Sequence, residues 1–164
     1  MTTFFPLPAP ISFLVALIPS QPFSGQVVEA SRAILMKYKN SNSIDGRVFP
    51  PHLTLLTGGT DKESLYAIAQ LLATQDWNMD DCSASPADTS EGFLSIPVRS
   101  NQLRVVQEDI LKNIEPIISK KPFLHPRVLE KWDHLSSVQK ERAIRYGTYK
   151  IAEDFHPHIS IAKV

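Results

Sequence analysis

The chain has 164 residues with 17 basic and 17 acidic side chains, so its formal net charge is zero, and a single cysteine. Its 43% hydrophobic and 21% charged residues are typical of a globular protein, which excludes a disordered chain and predicts one domain spanning 1–164. The lone Cys82 excludes an internal disulfide and a thiolate zinc site, and we expect a cytoplasmic protein. The absence of a basic net charge argues against binding to long duplex RNA.

Predicted strands and helices alternate along the chain. Continuous or alternating apolar residues predict strands, and apolar residues three and four apart predict helices. The first half of the chain is predicted to hold a central buried strand at 11–18, a helix at 24–38, a loop at 40–46 and a strand at 48–56 ended by Gly58-Gly59. A helix opened by the capping box Thr60-x-x-Glu63 follows, then a polar stretch with a short strand at 76–90 and an edge strand at 92–98. The second half is predicted to hold a helix at 101–118 cut short by Pro116, an irregular lid segment at 120–131, a helix at 136–146 closed by Gly147, and strands at 149–152 and 155–164. The order predicts an α+β fold. The apolar run at 11–18 is far shorter than the roughly 20 residues of a membrane span, so no membrane association is expected.

One short pattern occurs twice. Pro-His-Leu-Thr-Leu at 51–55 returns 106 residues later as Pro-His-Ile-Ser-Ile at 157–161. On a strand, residues two apart point to the same face, so each copy presents an imidazole and a hydroxyl together while its apolar residues enter a core. Two such strands facing each other supply a base, an acid and two hydrogen-bond donors, which suffices for in-line displacement at phosphorus without a metal.

This paired pattern resembles the two-histidine phosphoesterase superfamily, which includes RNA ligase-like proteins and nucleotide 2′,3′-cyclic phosphodiesterases. The resemblance covers most of the chain, because the predicted elements fall in the family's order. It implies two pseudo-symmetric lobes of antiparallel sheet with outer helices around a central cleft, each lobe contributing one motif. It also implies that His52 and His158 are catalytic and that Thr54 and Ser160 bind phosphate.

The reaction implied is hydrolysis of a 2′,3′-cyclic phosphate on a nucleotide or a short single-stranded RNA end. One imidazole takes a proton from the attacking water and the other gives one to the departing ribose oxygen, since an ordinary imidazole pKa of about 6.5 populates both forms near neutrality. The hydroxyls of Thr54 and Ser160 donate to the non-bridging oxygens. The pattern does not fix which histidine is the acid. We expect no cofactor, no metal and a monomer.

Three further residues close to the motifs are candidates for substrate binding. Phe49 and Tyr149 can stack on a base, although aromatic residues more often pack in a core. His156 lies on the same strand face as His158, and we expect it at the cleft mouth. Alternatively, His156 and His158 could join His52 in a metal site.

Other functions also fit the pattern. RNA 2′,5′ ligation or 3′-end trimming could use the same four side chains. In that case the RNA strand would bind along the basic stretch 120–150, which has eight Lys or Arg and three acidic residues. A non-catalytic nucleotide- or phosphate-binding module would keep the cleft without turnover. In a purely structural interpretation both motif histidines belong to the core.

Overall fold

The structure is a computed structural model that describes residues 7–37, 42–43, 50–77, 79, 81–90, 92–118 and 123–163. The strands are β1 (Leu7–Pro8), β2 (Ile11–Leu17), β3 (Asn42–Ser43), β4 (Leu53–Thr60), β5 (Ser83–Ala84), β6 (Asp88–Ser90), β7 (Phe93–Arg99), β8 (Phe123–Leu124) and β9 (His158–Lys163). The helices are α1 (Phe23–Lys37), α2 (Lys62–Ala73), α3 (Gln102–Ile118), α4 (Pro126–Glu130) and α5 (Ser137–Tyr146), with 3-10 turns at Trp132–His134 and Ala152–Asp154.

Most of these strands belong to one seven-stranded sheet. Its order is β2-β4-β9-β7-β5, with β3 also paired to β9 and β6 to β7, while β1 and β8 form a separate parallel pair. The pairings of β9 with β3, β4 and β7 are antiparallel. The predicted α+β class is therefore confirmed, whereas the pseudo-symmetry of two lobes stays a prediction. No helix among the described residues is long and apolar enough to cross a bilayer.

The chain divides into two compact units. The first comprises Met1–Val15, Leu56–Met79 and Gln102–Phe155, and the second comprises Ala16–Leu55, Asp80–Asn101 and His156–Val164. In the first unit α3 packs against both α2 and α5. In the second unit α1 packs against β9, and β7 lies between β9 and the short strands β5 and β6. Both copies of the repeated pattern contribute their His-x-Thr/Ser residues to the second unit.

Helix α3 shows why the first unit holds together. Leu103, Val106, Ile110 and Ile114 recur at intervals of three and four residues and are all at most 6% exposed. That spacing places them on one stripe of the helix, which packs inward. The helix runs through Pro116 to Ile118, so the prediction that this proline cuts it short is wrong.

The predicted helices are confirmed at α1, α2 and α5. Ser136 and Gln139 form a reciprocal capping box at the start of α5, and Gly147 ends that helix with a φ of 74°. At α2 the predicted cap is displaced by one residue. Asp61, not Thr60, accepts the hydrogen bond from the backbone N–H of Ser64 at 2.9 Å, because the preceding residue still belongs to β4.

Strand β2 is not the central, buried strand that its apolar run predicted. It stands at one end of the sheet order, and of its side chains Phe13 is buried while Leu14 is 38% exposed. A continuous apolar run reports hydrophobicity but not the number of neighbouring strands. The prediction of a loop over 40–46 is wrong at Asn42–Ser43, which form β3, and the rest of that range lies outside the described residues.

The paired glycines lie inside β4 and do not end it. The strand continues to Thr60. A Cβ on Gly58 would come within 2.6 Å of the Phe13 ring, and one on Gly59 would overlap Ala9 Cβ and come within 3.0 Å of the backbone nitrogen of His125. Glycine is therefore required here for close approach of other chain segments, and not for a turn.

Strand β7 is not an edge strand, although Pro97 suggested one. Pro97 pairs with His158 on β9, and on its other side its carbonyl oxygen accepts a hydrogen bond from the N–H of Ser85 at 2.9 Å. Strand β7 is therefore paired with neighbouring strands on both sides, and it lacks only the N–H donor that a residue other than proline would supply at position 97.

Two other segments differ from their predictions. Part of the expected lid, Phe123–Glu130, forms β8 and α4, where Leu124 and Val128 are buried in a cluster with Leu135 and Ala143. The expected strand at 149–152 is absent because the chain enters a 3-10 turn, with Ala152 at a φ of 53°. The last strand consequently begins only at His158.

His125 opens helix α4. Its Nδ1 accepts a hydrogen bond from the backbone N–H of Arg127 at 3.1 Å, which caps the helix. Burial, and next the positive charge of Arg127, lower the pKa of His125 below its ordinary 6.5, while Glu130 opposes them. The neutral ring is therefore the form that the fold prefers.

We predict that Gly59→Ala destabilises the protein by about 1–3 kcal/mol, since the new methyl group meets backbone that cannot move aside. Gly25→Ala is the matched control, because its Cβ meets only the flexible Gln21 side chain within a helix and should be neutral or stabilising by up to about 1 kcal/mol. Urea unfolding measures both. Equal stability of Gly59→Ala and the native protein would contradict the close packing.

We also predict a pH-dependent loss of stability that involves His125. A lowered folded pKa means that its contribution is complete above about 6.5 and declines as the pH falls through the folded value. Asn caps helices well but does not titrate. The difference in unfolding free energy between pH about 8 and about 5 should therefore be smaller in His125→Asn than in the native protein; an equal difference would show that this ring does not contribute.

Candidate active site

The two copies of the repeated pattern meet at their middle residues. Leu53 on β4 and Ile159 on β9 form an antiparallel pair, and each is only 3% exposed. The polar residues flank this pair. Side chains alternate along a strand, so the four polar residues project from the face opposite to the two buried residues. All four are half-buried: His52, Thr54, His158 and Ser160. The antiparallel direction sets His52 on the side of Ser160, and Thr54 on the side of His158.

Both imidazoles are held in the same local way. Nδ1 of His52 lies 2.9 Å from the carbonyl oxygen of Pro50, and Nδ1 of His158 lies 2.8 Å from the carbonyl oxygen of His156. In each case the carbonyl belongs to the residue two positions earlier, with a proline between. The repeated Pro-His sequence thus produces a repeated geometry.

This contact determines which nitrogen of each neutral ring carries the proton. A carbonyl oxygen only accepts hydrogen bonds, so Nδ1 must donate in both rings. Each neutral imidazole therefore carries its proton on Nδ1, and Nε2 is the nitrogen without a proton in that form. The arrangement orients the two rings in the same way.

The two motif hydroxyls have no partner within the described part of the chain. Neither Thr54 nor Ser160 makes a side-chain hydrogen bond to a described residue. A hydroxyl that is accessible to solvent and not engaged by the protein can donate to a ligand. Two hydroxyl donors beside two imidazoles suit an anionic group such as phosphate.

The remaining predicted site residues are distributed differently. His156 is exposed, and its carbonyl oxygen anchors the ring of His158. Tyr149 belongs to the first unit, where it packs against the cluster around Leu124. Phe49 lies outside the described residues. No group of three or more His, Cys, Asp or Glu side chains in the described ranges is arranged to hold a metal ion, so the three-histidine alternative finds no geometric support.

The register also identifies a residue that the sequence did not point to. Ser95 on β7 pairs directly with Ser160 on β9 and is only 3% exposed. It belongs to no repeated pattern, so motif searching misses it. A serine within the otherwise apolar run at 93–98 was the available signal.

Comparison with solved structures shows a similar fold in the crystal structure of TT0787 of Thermus thermophilus. The TM-score is 0.58, and the match covers 93% of this chain and 74% of the TT0787 chain at 15% sequence identity. At this identity the likeness concerns the fold alone. Neither a protein-family model nor a curated protein matches the sequence.

We predict opposite tautomers for the motif histidines and for His125. At alkaline pH, where imidazoles are neutral, His52 and His158 should carry the proton on Nδ1 because this atom donates to a carbonyl oxygen. His125 should carry it on Nε2 because its Nδ1 accepts. Long-range ¹H–¹⁵N correlation spectra distinguish the two forms. An Nε2–H tautomer at either motif histidine would contradict the proposed orientation.

Proposed function

We propose that the protein is a metal-independent phosphoesterase of the two-histidine type, which hydrolyses a 2′,3′-cyclic phosphate on a nucleotide or short RNA end. The observation that carries this proposal is the meeting of the two His-x-Thr/Ser segments at Leu53 and Ile159. That pairing gives both imidazoles and both hydroxyls a common sheet face. The pseudo-symmetric two-lobed arrangement is part of the same proposal.

In the proposed reaction, water attacks phosphorus opposite the ribose oxygen that departs. Nε2 of one histidine accepts the proton of the water, and Nε2–H of the other protonates the leaving oxygen. Each ring keeps its orientation through the Nδ1–H bond to a backbone carbonyl. The hydroxyls of Thr54 and Ser160 donate to the non-bridging oxygens, where negative charge is held in the transition state.

The two imidazoles together neither gain nor lose a proton during the proposed reaction. The ring that begins neutral ends protonated, and the ring that begins protonated ends neutral, so the pair is reset by proton exchange with solvent. The two rings have the same local anchoring. Either assignment of acid and base is therefore compatible with the geometry, and the product isomer will decide between them.

A small substrate agrees with the charge of the chain. The formal net charge is zero, and a protein that tracks a long nucleic acid usually gains its affinity from many phosphate contacts. We therefore propose a nucleotide or a short single-stranded end as the substrate, acted on by a cytoplasmic monomer. RNA ligation, 3′-end trimming and binding without turnover remain alternative outcomes of the test below.

We predict that the protein hydrolyses nucleoside 2′,3′-cyclic monophosphates in the presence of EDTA. His52→Ala and His158→Ala should each lower kcat by about 100- to 10,000-fold, the usual contribution of a general acid or base. Thr54→Ala and Ser160→Ala should each lower kcat/KM because a donor to the phosphate is lost. Chromatographic separation of the 2′- and 3′-phosphate products measures the rates and assigns the acid and the base.

His134→Ala is the matched control, since this histidine is exposed in a 3-10 turn of the first unit and its loss should leave turnover unchanged. Turnover that EDTA abolishes, or that survives both motif substitutions, would refute the mechanism. Product binding without turnover would favour the binding module, and activity only on oligonucleotides would favour ligation or trimming.

A further inference from the structure

We propose that Ser95 is a third phosphate-binding hydroxyl of the same site, an inference that rests on the proposed function because it concerns the phosphate bound there. Ser95 on β7 is the direct partner of Ser160 on β9. Directly opposed residues of an antiparallel pair project from the same face. Ser95 therefore shares the face of the sheet on which Ser160 and the imidazole of His158 lie.

The hydrogen-bond pattern brings the two serines close together. The N–H of Val98 donates to the carbonyl oxygen of Pro157 at 2.9 Å, so these residues form a hydrogen-bonded pair. Such pairs alternate with non-hydrogen-bonded pairs along the ladder, and Ser95–Ser160 lies three positions further, in unbroken register. It is thus a non-hydrogen-bonded pair, whose side chains stand nearest, with Cβ atoms about 4.5–5.5 Å apart. Two hydroxyls at this spacing can donate to one phosphate group.

Ser95 is a nearly buried residue, and its hydroxyl has no hydrogen-bond partner in the described part of the chain. The residue is 3% exposed, and its side chain makes no hydrogen bond to any described residue, including Ser160. Its oxygen is not among the fully buried, unpartnered side-chain atoms of the described residues, so the hydroxyl keeps some access to solvent. A hydroxyl that reaches solvent on this face of the sheet, and that no described side chain or carbonyl engages, can donate to a bound phosphate.

The ladder is irregular immediately beyond this pair. A register shift lies between Leu94 and Ser95, so that Leu94 pairs with Ala162 and Ile161 is skipped. Bulges of this kind change the direction of side chains and occur frequently beside active sites. With Ser95, three adjacent strands each contribute one hydroxyl to the site: Thr54 from β4, Ser160 from β9 and Ser95 from β7.

The test measures binding of inorganic phosphate by calorimetry, unfolding temperature with and without phosphate, and hydrolysis of cyclic phosphates, all on the full chain. Ser95→Ala is compared with Ser160→Ala and with Ser83→Ala, an exposed serine of β5 whose hydroxyl donates to the carbonyl oxygen of Arg99 at 3.4 Å. We expect Ser95→Ala to raise the Kd for phosphate about 10- to 100-fold, the value of one hydrogen bond to a charged group, and to lower kcat/KM similarly. Ser83→Ala should change neither.

The unfolding temperature separates binding from a structural role. Without phosphate it should be nearly unchanged in Ser95→Ala, because the hydroxyl makes no hydrogen bond to a described residue, whereas the increase produced by phosphate should shrink. An unchanged Kd would overturn the inference, as would a lower unfolding temperature with no effect on Kd. Phosphate binding that weakens in Ser95→Ala while the native protein has no turnover would support this role of Ser95 and refute only the hydrolase. A native protein that neither binds phosphate nor turns over would refute both.

Discussion

The pairing of Leu53 with Ile159 is the constraint on which the candidate site depends. Each is the central residue of its His-x-Thr/Ser segment, and each is almost completely buried. Burying a side chain of this size stabilises a protein by about 1.5–3 kcal/mol. A shift of either strand by one residue would expose that side chain and turn an imidazole and a hydroxyl toward the core. The hydrophobic core therefore maintains the register that presents the polar residues, although the core side chains themselves are not part of the candidate site.

Features that depend on nearby residues could be predicted from the sequence. The glycine that ends α5 is a local signal, and Gly147 ends the helix where it was expected to. The motif residues were also identifiable, because alternation along a strand fixes their common face whatever the neighbouring strand is. The proline before each histidine places a carbonyl two residues back within reach of Nδ1, and this shared detail follows from the repeat itself.

Features that depend on distant residues could not be predicted. Gly58 and Gly59 resemble a strand end, but they admit Phe13 and the segment around Ala9, which the sequence places some fifty residues away. Pro97 suggested an edge, but its carbonyl is paired on the side where its nitrogen has no proton. The importance of Ser95 likewise arises only from its register with β9. In each case the deciding neighbour belongs to another strand or to another part of the chain.

The two motifs are alike locally but have different neighbours, and this difference bears on how two similar imidazoles can have distinct roles. His158 and Ser160 lie on β9, between β4 and β7, with Pro97 and Ser95 as their β7 partners. Proline offers no donor and serine offers one, so on the β7 side a hydroxyl lies beside Ser160 and none beside His158, whereas on the β4 side Thr54 lies beside His158. Two hydroxyls, Ser95 and Ser160, thus share one end of the site and only Thr54 lies at the other. A phosphate attracted toward these donors would not lie symmetrically between the two rings. In the proposed reaction its leaving oxygen would then face one histidine and the attacking water the other, so that acid and base would differ even though the two rings make the same hydrogen bonds to backbone.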